Sequence, residues 1–98
     1  MSVELDEIIH APKRLAICAM LSTAAALEFG TIRDELGVSD SVASKHLKVL
    51  GDAGYISTET KADPGSRRPR HWISLTSAGR AAFRSYTATL QRLLASGR

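Results

Sequence analysis

Three residues, Gly37-Val38-Ser39, constrain the fold of this chain more than any other stretch. Gly37 can end a helix in the left-handed conformation, and Ser39 can start the next one as an N-cap. The chain must therefore turn sharply between two helices. Thr31-Ile-Arg-Asp34 has the form of a capping box and opens an expected short helix, Ile32 to Leu36. After the turn a longer helix is expected from Asp40 to about Ala53, with Asp40 suiting the helix dipole and Gly54 closing the end. Val42, His46, Val49, Leu50 and Ala53 recur at helical spacing and are assigned to the core, with Leu47 beside them. The opposite face carries Asp40, Ser41, Ser44, Lys45 and Lys48 and no bulky apolar side chain. Two helices joined this way form a helix-turn-helix.

A hairpin is expected next. Tyr55 to Lys61 reads as a strand, Pro64-Gly65 is a turn signal, and Arg70 to Leu75 is the return strand with Ile73 and Leu75 inward. The segment KADPGSRRPR at its tip holds Lys61, Arg67, Arg68 and Arg70 against one acid. Charge is unevenly spread. Residues 1–60 hold 5 Lys/Arg against 9 Asp/Glu, residues 61–98 hold 8 against 1, and the net charge is +3. Arg80, Arg84 and Arg92 fall on a helix and read as solvated, whereas arginines crowded into a loop repel one another unless an anion is present. A helix with short polar side chains followed by a cationic loop suits double-stranded DNA. The helix can meet base edges, and the arginines can meet phosphate or a narrow minor groove. Asp40 has two readings, a dipole partner or an acceptor for a cytosine amino group. His71 is read as a strand residue near the backbone. Trp72 packs either beside the hairpin or against a second chain.

The flanks suggest how the chain assembles. Val3 to His10 looks like a short amphipathic helix. Pro12 fits the first turn of another, which runs to Leu21 or Ser22. Thr23 to Phe29 is a linker with a brief strand around Leu27 to Phe29. Thr76 or Ser77 caps a last helix that runs to about Ser96, with Ala82, Phe83, Tyr86, Leu90, Leu93 and Leu94 as its apolar stripe. That stripe is long for so small a core. Its distal part, Tyr86, Leu90, Leu93 and Leu94, together with Val3, Leu5, Ile8 and Ile9, is expected to be exposed on one chain and buried by pairing of two.

Composition excludes several classes. A chain of 98 residues is expected to be one domain, residues 1–98, with the terminal helices serving dimerisation. The apolar run from Leu15 to Leu21 is far short of the roughly 20 residues that span a membrane. No signal peptide is read, so the cytosol, at the nucleoid, is the expected location. Cys18 is the single cysteine, which rules out an intrachain disulfide or a paired-thiol metal site. It is read as a buried small hydrophobe, with a redox-sensing thiol as the alternative. His10, His46 and His71 are scattered, and no nucleophile, base or phosphate loop is arranged for catalysis. The chain is therefore expected to be no enzyme and to use no metal or cofactor.

Taken in order, these motifs resemble the small winged-helix transcriptional regulators of prokaryotes, closest to the MarR group with ArsR-like features in SKHLKVL. KRLAICAML is similar to the first helix of that group. TIRDELGVSDSVASKHLKVLGDAGYI is similar to its helix-turn-helix and first wing strand. RRPRHWISLTSAGRAAF is similar to its second wing strand and Leu-Thr-x-x-Gly-Arg junction. The resemblance implies a mainly α fold with a small β-hairpin wing (α+β), a homodimer, and a repressor role for a sequence-specific DNA binder. By position it assigns Ser39, Asp40, Ser41, Ser44, Lys45 and Lys48 to the recognition helix, and Lys61, Arg67, Arg68 and Arg70 to the wing. It carries over neither a metal site nor an effector pocket. The alternative reading is a winged-helix protein–protein adaptor.

Overall fold

The computed structural model describes residues 5–62, 64–65 and 67–97. The chain runs α1 (Glu7–His10), α2 (Pro12–Ser22), β1 (Leu27–Glu28), α3 (Phe29–Leu36), α4 (Asp40–Asp52), β2 (Ile56–Lys61), β3 (Arg70–Leu75) and α5 (Ser77–Ser96). The strands form one antiparallel sheet in the order β1-β3-β2. The mainly helical class with a small hairpin holds. The brief strand in the linker is present and becomes the third strand of the sheet.

The turn between α3 and α4 is built as its residues dictate. Gly37 adopts φ 67°, and the amides of Val38 and Gly37 close back on the carbonyls of Arg33 (3.4 Å) and Asp34 (3.1 Å). This double closure satisfies carbonyls that a helix end leaves without partners. Ser39 accepts from the Val42 amide at 3.3 Å and starts α4. The same closure recurs at the far end of α4, where Gly54 has φ 79° and the Tyr55 amide reaches the Leu50 carbonyl at 3.0 Å.

Two local expectations are corrected. The capping box at Thr31 does not form. α3 already begins at Phe29, because Glu28 is the last residue paired in β1 and the helix starts directly after it; Thr31 lies inside the helix. The inward stripe of α4 is also rotated by roughly one residue, about 100° around the axis. Ala43, Leu47 and Leu50 are buried, Val42 is 39% exposed, Ala53 is exposed, and His46 and Val49 are half-buried. A pattern weighted toward large side chains overlooks Ala43, whose small size suits it to a buried helix contact.

The core gathers Ile9, Ile17, Cys18, Leu21, Ile32, Leu50 and Ile73, all essentially inaccessible. Burial, with Asp6 nearby, pushes the Cys18 thiol up to about 11, which suits a packing role and not a reactive one. Asp6 caps α1 by accepting from the amides of Ile8 (2.8 Å) and Ile9 (3.3 Å), and it takes the Tyr55 hydroxyl at 2.5 Å. That bond holds the start of the hairpin against the N-terminal helix and, with burial, pushes the Tyr55 phenol up to about 12.

The Leu-Thr-x-x-Gly-Arg junction has a clear physical role. Thr76 caps α5 by accepting from the Gly79 amide at 3.0 Å, and its hydroxyl donates to the Gly54 carbonyl at 2.6 Å. The Thr76 amide bonds the Tyr55 carbonyl at 3.0 Å. A Cβ at position 79 would collide with that same Tyr55 oxygen, so only glycine lets α5 seat against the base of the hairpin.

The terminal helices are less exposed than expected. Ile9 is 0% exposed and Tyr86 is 4% exposed, both inside the chain's own core, because α1 folds onto α2 and the Tyr86 hydroxyl bonds His10 Nδ1 at 2.8 Å. Leu5, Ile8 and Leu90 are half-buried against that core. Leu93 is half-buried and Leu94 is 71% exposed. Val3 lies outside the described residues.

Candidate nucleic-acid interface

α4 turns its buried stripe inward, so Ser41, Lys45 and Lys48 lie on the opposite, exposed face. Asp40 and Ser44 flank that face on the side toward the sheet. Between α4 and the hairpin runs a groove of about 470 Å³. Asp40, Ser44 and Lys48 form one wall, Thr58 and His71 form the other, and Leu47 and Ile73 lie beneath. α4 and one face of the hairpin therefore border a single depression.

Charge on α4 is more balanced than its lysines suggest. Lys48 Nζ pairs with Asp52 at 2.9 Å, and both side chains are exposed, so the pair is weak and easily exchanged for another anion. Asp40 is held by α3: Arg33 Nη1 donates to its Oδ1 at 2.8 Å, while Arg33 Nε donates to Asp34 at 2.9 Å. These two carboxylates raise the Arg33 pKa further. Ser39 Oγ lies 3.2 Å from Ser41 Oγ.

His46 sits among cations. Its Nδ1 lies 3.5 Å from Arg14 Nη1, and Arg14 also donates to the Ile8 carbonyl at 2.6 Å. Burial lowers the His46 pKa first, followed by the positive charge of Arg14, Lys45 and Lys13.

Strand register divides the hairpin in two. Directly paired residues share a face, and successive residues alternate between faces. The pairs Ile56↔Leu75, Thr58↔Ile73 and Thr60↔His71 face the core and α4. The pairs Ser57↔Ser74, Glu59↔Trp72 and Lys61↔Arg70 face outward. The expectation of wing arginines on one surface with α4 is not met at Arg70, and Lys61, expected at the base with a lesser part, shares the face of Arg70. Lys61 lies 3.9 Å from Glu59 and Arg70 lies 3.9 Å from Glu28, on the sheet face turned away from α4. Parity explains the outcome, since positions 61 and 70 pair directly and travel together. Arg67 and Arg68 lie beyond the strands in the turn and are exposed.

Trp72 stands half-buried on the outer face, bordering a cleft of about 670 Å³ with Pro64, Ala25 and Ala26. His71, read as a strand residue near the backbone, shares the inner face with Ile73 and lines the groove. It bonds Thr60 Oγ1 at 3.0 Å through Nδ1, which fixes the ring on the groove side opposite Ser44. Its alternation with Trp72 was the available signal.

A family model described as a winged helix DNA-binding domain matches residues 13–94. The chain belongs to that family. Solved structures agree with the fold. The winged-helix domain resembles a transcriptional regulator homologue protein from Pyrococcus horikoshii with a TM-score of 0.84 at 22% identity, covering 93% of this chain and 88% of that one. It resembles HlyU from Vibrio cholerae with a TM-score of 0.68 at 25% identity, covering 89% and 84%. It resembles the PcaV transcriptional regulator from Streptomyces coelicolor with a TM-score of 0.72 at 22% identity, covering 91% of this chain and 60% of that one. An uncharacterized protein, MJ0432 of Methanocaldococcus jannaschii, is 29% identical over 87 residues, which is 89% of this chain and 92% of that protein. The resemblance to small prokaryotic winged-helix regulators holds. Among the described residues, no helix is long and apolar enough to cross a membrane.

Proposed function

We propose that this winged-helix domain is a sequence-specific transcriptional regulator that binds double-stranded DNA as a homodimer and represses by occupying an operator. One observation carries the reading: the exposed polar face of α4 and the inner face of the hairpin border one groove. α4 enters the major groove, with Ser41, Ser44 and Lys45 at base edges and Lys48 exchanging Asp52 for a phosphate. Ser39 holds the start of the helix. Arg67 and Arg68 at the wing tip meet backbone or a narrow minor groove. Lys61 and Arg70 contribute long-range charge only.

The dimer is built from the distal part of α5, through Leu90, Leu93 and Leu94, with Leu5 and Ile8 beside it. The radius of gyration is 15.0 Å, against about 13 Å for a compact domain of this size. That elongation is natural for a chain completed by a partner. Two α4 helices related by a twofold axis would read half-sites roughly 34–36 Å apart.

The test is an equilibrium titration against duplexes selected from a random pool, at two salt concentrations, with light scattering for the mass in solution. Affinity should fall by orders of magnitude between about 50 and 200 mM salt. Absent binding, or binding indifferent to salt, would sink the reading. The adaptor reading has one observation in its favour, the outer-face cleft with Trp72. Recovery of a stoichiometric protein partner and no DNA would favour it.

A further inference from the structure

α4 carries Asp40 and Asp52 against Lys45 and Lys48, so its formal charge is zero. A helix placed among phosphates with no net charge asks for an explanation. Asp52 is balanced on the helix itself by Lys48 at 2.9 Å. Asp40 is not. Arg33 grips it from α3 but grips Asp34 as well, so one cation faces two carboxylates and the local charge stays negative.

The grip is also one-sided. Arg33 holds Oδ1 of Asp40 at 2.8 Å, whereas Oδ2 makes no hydrogen bond among the described residues. The Asp40 side chain is 73% exposed and stands on the groove wall with Ser44. It is an exposed carboxylate held through one oxygen at the leading end of α4.

Such a group is poorly suited to general DNA affinity. It repels phosphate, and it repels the acceptor edges of guanine and thymine in the major groove. It is satisfied only by an exocyclic amino group. We propose that Asp40 sets sequence preference by charge, with Oδ2 accepting from a cytosine N4 amino group while Arg33 acts as the positioning residue on Oδ1. Repulsion from unmatched edges does as much as attraction to the matched one, which is how specificity is commonly sharpened. The inference rests on the reading of α4 as the helix that enters the major groove. Its signature is a reversal of sign. Removing a lysine from a recognition helix weakens binding to all DNA, whereas removing this carboxylate should strengthen binding to unrelated DNA and blunt discrimination.

The experiment starts from the duplex the intact protein selects from a random pool. Dissociation constants are measured for that duplex, for versions with each cytosine changed in turn to thymine, and for an unrelated duplex. The proteins compared are the intact chain, Asp40→Asn and Arg33→Lys. Thermal unfolding of each serves as a control, since Ser39 supplies the cap, Asp40 is exposed and Arg33 is half-buried. Asp40→Asn should lose roughly tenfold discrimination at one cytosine, the size of a single good base contact, and should bind the unrelated duplex more tightly. Arg33→Lys keeps the charge and loses the fork, so it should lose discrimination at that same cytosine with affinity for the unrelated duplex unchanged. Full discrimination by Asp40→Asn, or no gain on the unrelated duplex, would overturn the proposal while leaving α4 as the reading helix. Failure of the intact protein to bind any duplex would overturn both.

Discussion

The inner face of the hairpin presents Thr58, Thr60 and His71 toward α4, while the outer face presents Glu59, Lys61, Arg70 and Trp72 away from it. Both faces come from the same two strands, and a shift of one position moves a side chain from one to the other. The inner face is apolar at its base, with Ile56, Ile73 and Leu75, and polar toward the tip, with Thr58, Thr60 and His71 beside the groove along α4. The outer face is a balanced set of cations and carboxylates around the only tryptophan. A cluster of basic residues in a sequence is therefore not yet a cationic surface; parity decides which of its members act together.

The largest expected effect comes from removing the anchor that both faces share. Gly79→Ala would drive a Cβ into the Tyr55 carbonyl, and a backbone oxygen cannot step aside as a side chain can. Overpacking of this kind should cost about 3 kcal/mol, and thermal unfolding by circular dichroism should show Tm falling by roughly 10 °C or more. Both faces would lose their places together.

Next comes the comparison of wing cations. Replacing Arg67 and Arg68 by Ala should reduce affinity for every duplex about tenfold or more at low salt. It should also flatten the salt dependence, by roughly 0.9 in the log–log slope for each phosphate no longer neutralised. The same change at Lys61 and Arg70 should have a much smaller effect, because those side chains face away from α4 beside carboxylates. Equal losses in the two double variants would show that the faces are not distinct.

A finer contrast uses adjacent residues. His71→Ala should weaken DNA binding about fivefold, the size of one hydrogen bond, while Trp72→Ala should leave it unchanged. Titrations of the two variants against one duplex decide the matter.

The smallest effect is that of His46. Its pKa is lowered in the folded chain from an ordinary 6.5, so the unfolded chain takes up the proton first as pH falls. The contribution of the neutral ring is fully present above pH 6.5 and is lost as pH falls from there through the folded value. Denaturant titrations at about pH 7.5 and about pH 5.5 should show stability falling toward the lower pH, and His46→Gln should reduce that fall.

Much of this was legible in the residues. Glycine, serine and proline act locally, so Gly37, Ser39, Gly54, Pro12 and Thr76 placed the helix ends well. The return strand, Arg70–Leu75, was also legible. The failures have a common cause, which is tertiary contact. The Thr31 capping box lost to a strand that moved the helix start forward to Phe29. The orientation of α4 turned on Ala43, too small to mark a periodicity. Nothing local shows that α1 folds back over α2, so Ile9 and Tyr86 read as surface until the packing is seen. The exposed polar face of α4 and the exposed hairpin tip were legible in the residues. The strands were harder to read, because register and not composition assigns each side chain to a face.

A photo-crosslinker placed singly at positions 44, 68 and 72, and irradiated with the selected duplex, tests most directly whether α4 and the wing tip meet one DNA. Positions 44 and 68 should each crosslink, at nucleotides within about one helical turn of each other, and position 72 should not. Strong crosslinking from position 72 with none from position 44 would contradict the shared surface.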